Sequence, residues 1–101
     1  MRGSARLGDE VSGRCFGHSG GPIKKGTIVT ASPNVKANDR AVARIGDKVN
    51  LECGHRAVIV GGSPDVKTND RQHARLGDRV EGDGVVYQGE IVTASPNVIV
   101  N

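Results

Sequence analysis

The octapeptide Ile-Val-Thr-Ala-Ser-Pro-Asn-Val occupies residues 28–35 and recurs unchanged at 91–98. Ile59-Val60-Gly61-Gly62-Ser63-Pro64-Asp65-Val66 is a third, altered copy, so the Ser of Ser-Pro falls at 32, 63 and 95. A second motif, Ala-Arg-Leu/Ile-Gly-Asp, stands at 5–9, 43–47 and 74–78. Repeats of this length are single supersecondary units that bury their apolar faces only against one another. The chain opens on one half of a unit and ends on the other. Residues 2–9 and 91–101 together make one repeat, beside units at about 28–47 and 59–78. Placing Asn101 before Met1 puts Met1 where Asp39 stands and Arg2 where Arg40 stands. An open solenoid needs distinct end caps. Complementary halves instead predict a closed object with approximate three-fold symmetry and adjacent termini.

Composition fits such an object and excludes several others. In 101 residues there are 20 Val plus Ile against three Leu, with 15 Gly, one Phe, one Tyr and no Trp. β-branched residues favour strands, and Gly and Pro supply turns. No window of useful length keeps helical apolar spacing free of Gly, which argues against a bundle. No apolar run approaches the roughly 18 residues of a transmembrane helix, and Met1-Arg2-Gly3-Ser4 leads into no signal-peptide core. The net charge of +3 is mild and interspersed. Without stacking aromatics it gives no footing for nucleic-acid binding. The fold class expected is therefore all-β: three short β-repeats around a pseudo-three-fold axis, sharing a narrow core of Val, Ile and Ala.

Within a unit, Ile-Val-Thr-Ala reads as a strand and Ser-Pro-Asn/Asp as a turn, because Pro presets φ and Asn tolerates the left-handed region. Val-x-x-Asn reads as the returning strand and Asn-Asp-Arg as a second turn. Ala-Arg-Leu/Ile reads as a third strand ending at Gly-Asp. The repeated Arg6, Arg44 and Arg75 stand three residues before Asp9, Asp47 and Asp78. Salt bridges and turn caps are the expected use of these pairs, rather than catalysis.

The segments 10–27, 48–58 and 79–90 break the symmetry. The first holds Cys15 and His18, the second Cys53 and His55, and the third no ligand-type side chain apart from carboxylates. In a three-fold object they lie at one end, so the four side chains converge. Cys₂His₂ is a common structural zinc set, and the expected cofactor is Zn²⁺ bound by Cys15, His18, Cys53 and His55. Two free thiols with two surface histidines, or a Cys15–Cys53 disulfide, are the alternatives. For a small domain with a thin core, a metal staple supplies on the order of 10 kcal/mol. His73, next to Ala74, reads as a surface histidine. An enzyme needs a nucleophile with a base, or a metal with an open position; neither stands out, and no catalytic residue is expected.

This combination closely resembles the PAAR-repeat family. The motif reads Gly3-Ser4-Ala5-Arg6, Ala41-Val42-Ala43-Arg44 and Gln72-His73-Ala74-Arg75, lacking the leading Pro in all three copies and with no Ala at the second position. The resemblance covers essentially the whole chain and implies a pointed cone whose base docks on a trimeric β-helical spike, one tip per trimer. That spike is the valine-glycine-repeat protein of a type VI secretion system or the central spike of a contractile phage tail. The function implied is a non-enzymatic tip that sharpens the spike for membrane puncture, touching the target membrane transiently and sometimes carrying an effector. Its implied location is the cytoplasm during assembly, and then the tip of the apparatus, secreted or on the virion. The resemblance also implies an apical zinc held by histidines and a cysteine, so His73 is a candidate to replace one cysteine. The competing functions are a zinc-binding effector adaptor and a metal-dependent hydrolase.

Overall fold

Each Ala-Arg-Leu/Ile-Gly-Asp motif closes a tight turn. The Asp9, Asp47 and Asp78 amides donate to the carbonyls of Arg6, Arg44 and Arg75, each at 3.0 Å. Gly8, Gly46 and Gly77 sit at φ of 88°, 91° and 84°, a left-handed conformation that glycine adopts without steric cost. The carboxylate then grips its own arginine. Asp9 Oδ2 accepts from the Arg6 amide at 2.8 Å and from Arg6 Nε at 2.9 Å, and the other two copies repeat this. All six side chains are buried.

The computed structural model describes every residue except Met1, Asn38, Asp39, Asp70, Val85, Pro96, Asn97 and Asn101. The described residues are all-β, with no helix. Six longer strands form three hairpins: β2 (Glu10–Cys15) with β3 (Ile23–Ile28), β6 (Lys48–Leu51) with β7 (Arg56–Ile59), and β10 (Arg79–Asp83) with β11 (Tyr87–Ile91). Neighbouring hairpins pair antiparallel, β3 with β6, β7 with β10 and β11 with β2, closing a six-stranded barrel. Closure leaves this barrel without a free edge.

Below the barrel lie three two-residue ladders: β4 (Lys36–Ala37) with β5 (Arg40–Ala41), β8 (Lys67–Thr68) with β9 (Arg71–Gln72), and β1 (Arg2–Gly3) with β12 (Ile99–Val100). The last joins the two ends of the chain in the place a continuous hairpin fills in the other repeats, so the termini are adjacent. The predicted register of Met1 and Asn101 falls outside the described residues. Before each ladder stands a Ser-Pro motif whose buried serine hydroxyl accepts an amide three residues on, Val35, Val66 or Val98, at 3.0 Å.

At the axis the three-fold pattern closes atom by atom. Ala5 donates to the Ala74 carbonyl at 3.1 Å, Ala74 to Ala43 at 3.0 Å and Ala43 to Ala5 at 2.9 Å. Each of these alanines is 0% exposed. A belt of ion pairs runs around this ring: Arg40 reaches Asp9, Arg71 reaches Asp47 and Arg2 reaches Asp78, at 3.2, 3.5 and 3.3 Å. Every repeated aspartate thus holds its own arginine and one from another repeat. Breaking such a buried arrangement from one side costs about 3–5 kcal/mol.

The structure corrects the strand boundaries expected within a repeat. The isoleucine of Ile-Val ends a barrel strand instead of beginning one, and Ala-Arg lies in isolated bridges and a turn beyond the short β5 and β9. The symmetry-breaking segments contain the longest strands of the molecule. The narrow interior admits one ring. Tyr87 is buried among Val11, Ile28, Val49, Ile59, Val80 and Ile91. Gly13 and Gly89 face each other across β2 and β11; Gly89 makes room for the ring, and Gly13 lets the two strand backbones approach. A Cβ on Gly89 would lie 2.7 Å from the Tyr87 ring, and one on Gly13 only 2.2 Å from the Gln88 carbonyl oxygen.

Candidate metal centre

Cys15 is the last residue of β2, and its amide donates to the Pro22 carbonyl at 3.0 Å, pinning the base of the loop that carries His18. The second loop is a tight hairpin turn. Leu51 accepts from the Gly54 amide at 3.0 Å and donates to the His55 carbonyl at 2.9 Å, with Gly54 left-handed at φ 89°. This is the three-residue hairpin loop in which glycine supplies the αL position. It brings Cys53 and His55, on either side of Gly54, to the same end of the barrel as Cys15.

The four ligand atoms of Cys15, His18, Cys53 and His55 all lie within 4.8 Å of one another. Cys15 Sγ is 3.4 Å and Cys53 Sγ 3.5 Å from His55 Nδ1, and the two sulfurs are 3.9 Å apart. A tetrahedral Zn²⁺ with S at about 2.3 Å and N at about 2.0–2.1 Å requires S···S near 3.8 Å and S···N near 3.6 Å. The three edges among Cys15, Cys53 and His55 match such a tetrahedron, and all four ligand atoms fall within 4.8 Å. The His18 ring lies 4.9 Å from that of His55, tilted by 52°. His18 Nε2 is buried with no hydrogen-bond partner, and it is the one such side-chain atom among the described residues. A buried polar atom without a partner costs about 1–3 kcal/mol unless something unseen satisfies it, and a metal ion would. The donor set therefore fits a metal ion. Both cysteines are free, and 3.9 Å is far beyond a disulfide bond.

The same geometry separates His73 from the site. Instead of lying on the surface it is buried, with Nε2 2.6 Å from Ser4 Oγ and Nδ1 2.9 Å from Thr68 Oγ1. Its backbone bridges Arg44 at the axis, in the part of the molecule that the short ladders occupy. Burial lowers its pKa below the usual histidine value. It does not replace a cysteine in the cluster.

A PAAR-motif profile matches residues 17–88, which span the second cysteine–histidine loop, His18 and two of the three Ala-Arg-Leu/Ile-Gly-Asp turns. The chain belongs to the PAAR-motif family. No curated protein matched it. PAAR-motif proteins sit in secretion or phage-tip machinery as structural spike-tip modules. No helix among the described residues of this PAAR-motif protein is long and apolar enough to cross a membrane.

One residue beside the centre escapes sequence reasoning. Tyr87 pairs in register with Cys15, and its hydroxyl donates to the Lys24 carbonyl at 2.9 Å, tying β11 to β3 across β2. Burial first, then the Cys15 and Cys53 thiols and Glu52, push its phenol up to about 12. The only signal was that the sole tyrosine lies in the ligand-free segment.

Proposed function

We propose that this PAAR-motif protein is a non-enzymatic tip that caps a trimeric β-helical spike, one chain per trimer, with a Zn²⁺-stapled apex. The observation that carries the reading is the closed ring of Ala5, Ala43 and Ala74 with its belt of Arg–Asp pairs. Through it a single chain presents an approximately three-fold frame to a truly three-fold partner. The side surface follows the same frame: Val29, Val60 and Val92 are 40%, 39% and 40% exposed. One monomer can then satisfy three identical subunit edges at once, and strand addition at the short ladders would satisfy backbone groups on both sides.

Cys15, His18, Cys53 and His55 would hold the zinc. Four protein ligands fill a tetrahedral site, so the ion supplies cross-linking rather than an open coordination position. It joins the β2–β3 loop to the β6–β7 loop where the barrel interior ends, and there the apolar core has least to offer. Driven along its axis, a pointed tip would concentrate force on a small area of the target membrane. The cytoplasm during assembly and the apparatus tip afterwards are the locations this role requires. The test is to mix purified protein with the trimeric spike of its own apparatus and weigh the product by light scattering. A complex of one chain with three spike subunits is expected, and persistent separation of the two would refute the role.

A further inference from the structure

Half of the metal cluster is sulfur. Cys15 and Cys53 are the only cysteines of the chain, and their Sγ atoms lie 3.9 Å apart across 38 residues of sequence. An intramolecular disulfide in this protein can therefore have one connectivity alone.

The two sulfurs are held differently. Cys15 ends β2, is 0% exposed, and stands opposite Tyr87 on β11, with its amide on the Pro22 carbonyl. Cys53 is half-buried in the β6–β7 turn, between the exposed residues Glu52 and Gly54. A Cβ added to Gly54 would meet none of the described atoms within 4 Å, so the turn stands clear on that side. One sulfur is fixed and sheltered, and the other is reachable from solvent on a turn with space around it. That is the arrangement of an oxidant-accessible thiol beside a resolving one. A thiolate is both the metal ligand and the nucleophile, so what suits the pair to a metal also opens it to oxidation.

We infer that Cys15 and Cys53 form a redox-exchangeable staple: a peroxide converts the pair to a disulfide, the metal is discharged, and the two hairpins stay joined covalently. The inference rests on the metal site proposed above. The Cys53 thiolate attacks one peroxide oxygen, the O–O bond breaks, and hydroxide leaves, giving a sulfenic acid at Cys53. The Cys15 thiolate then attacks the Cys53 sulfur and displaces a second hydroxide. Two thiolates and one hydrogen peroxide thus become one disulfide and two hydroxide ions. Each sulfur gives up one electron and each peroxide oxygen gains one, while the zinc ion leaves with its charge unchanged. The sulfurs must close from 3.9 Å to about 2.0 Å, a movement assigned to the Cys53 side chain and its turn. His18 and His55 then remain, and two imidazoles do not make a four-ligand zinc site. The disulfide ties the end of β2 to the β6–β7 turn, so the apex keeps a cross-link between the hairpins that the metal joins. In the proposed role that tip leaves a reducing cytoplasm for compartments where disulfides persist.

The test is titration of the zinc-loaded protein with hydrogen peroxide, followed by a chromogenic zinc indicator and by intact mass under non-reducing conditions. One zinc per chain should be released in step with the loss of both thiols. The product should be a monomer lighter by two hydrogen atoms, with Cys15 linked to Cys53 in a peptide map. A chelator should lower the thermal midpoint of the reduced protein and leave that of the oxidised protein unchanged. Dithiothreitol with zinc should restore the starting state. Cys53→His keeps four metal donors but a single sulfur, and should bind zinc yet give no internally linked product; the wild-type titration stands by itself if that variant does not fold. Zinc that stays bound while the peroxide consumes added glutathione would overturn the inference. So would zinc lost to sulfinic acids or to chain-to-chain disulfides, or an oxidised midpoint that still falls with chelator. Each of those results leaves the metal site standing. A chain that takes up no zinc removes the metal site, and the exchange with it.

Discussion

The short ladders at the base and the barrel that holds the metal cluster solve the same problem in opposite ways. The base is built from near-identical residues used three times, and its parts neutralise one another. Each aspartate has two arginines, each serine hydroxyl an amide, and each axial alanine a neighbour's carbonyl. The barrel has longer strands and a closed sheet, yet its three hairpins share little sequence and end in one asymmetric four-residue cluster. Repetition gives the base a scaffold that needs nothing from outside. Divergence gives the apex a site, at the cost of a buried, partnerless His18 Nε2 that calls for a metal ion.

Removing the metal ligands should break the contrast most completely. Cys15→Ser with Cys53→Ser should reduce bound zinc from one per chain to none and lower the thermal midpoint by tens of degrees. Apparent zinc contributions are on the order of 10 kcal/mol. Metal quantification and a thermal scan of the same preparation check both. Next in size is the base itself. Asp47→Ala strands the buried Arg44 and deprives Arg71 as well, so denaturant unfolding should show a loss of about 3–5 kcal/mol while zinc content stays at one. A change that unfolds the base without emptying the metal site, or the reverse, sharpens the distinction between the two regions.

Tyr87→Phe is a smaller perturbation on the barrel side. It removes the hydrogen bond to Lys24 and leaves that carbonyl without this partner, for an expected loss of about 1 kcal/mol in equilibrium unfolding. The smallest effect concerns His73, whose depressed pKa belongs to the base. Below about pH 6.5, the usual histidine value, the unfolded chain takes up a proton that the folded chain resists, so stability falls as pH falls. The slope contributed by His73 is at most about 1.4 kcal/mol per pH unit. His73→Val, the residue type that Val42 supplies in the equivalent position, should flatten that part of the pH profile. An unchanged profile would contradict the assignment.

How much of this was legible in the sequence follows the same division. Three-fold closure, the adjacent termini and the Arg–Asp pairing could be read, because identical residues at fixed spacing mark equivalent places. The strands of the barrel could not. Ile23–Ile28 reads Ile-Lys-Lys-Gly-Thr-Ile and Arg79–Asp83 reads Arg-Val-Glu-Gly-Asp. In both, inward glycines and outward charges hide the alternation that marks a strand elsewhere. Cys15, His18, Cys53 and His55 were brought together by topology alone, since loops at one end of a three-fold body must meet. His73 was misread for a different reason. Alternation with Ala74 suggests an outward side chain, but residues at the axis sit in a ring of bridges where Ser4 and Thr68 take up its polar atoms. Tyr87 was missed because a lumen lined by valine and isoleucine gives no hint that Gly89 leaves space for a ring in it.

The most direct test of a self-sufficient base beneath a metal-dependent apex is amide hydrogen exchange with and without a zinc chelator. Chelation should release the amides of Cys15, Leu51 and Gly54 around the cluster, while those of Ala5, Ala43 and Ala74 in the axial ring stay protected. Uniform loss of protection in both regions, or none in either, would contradict it.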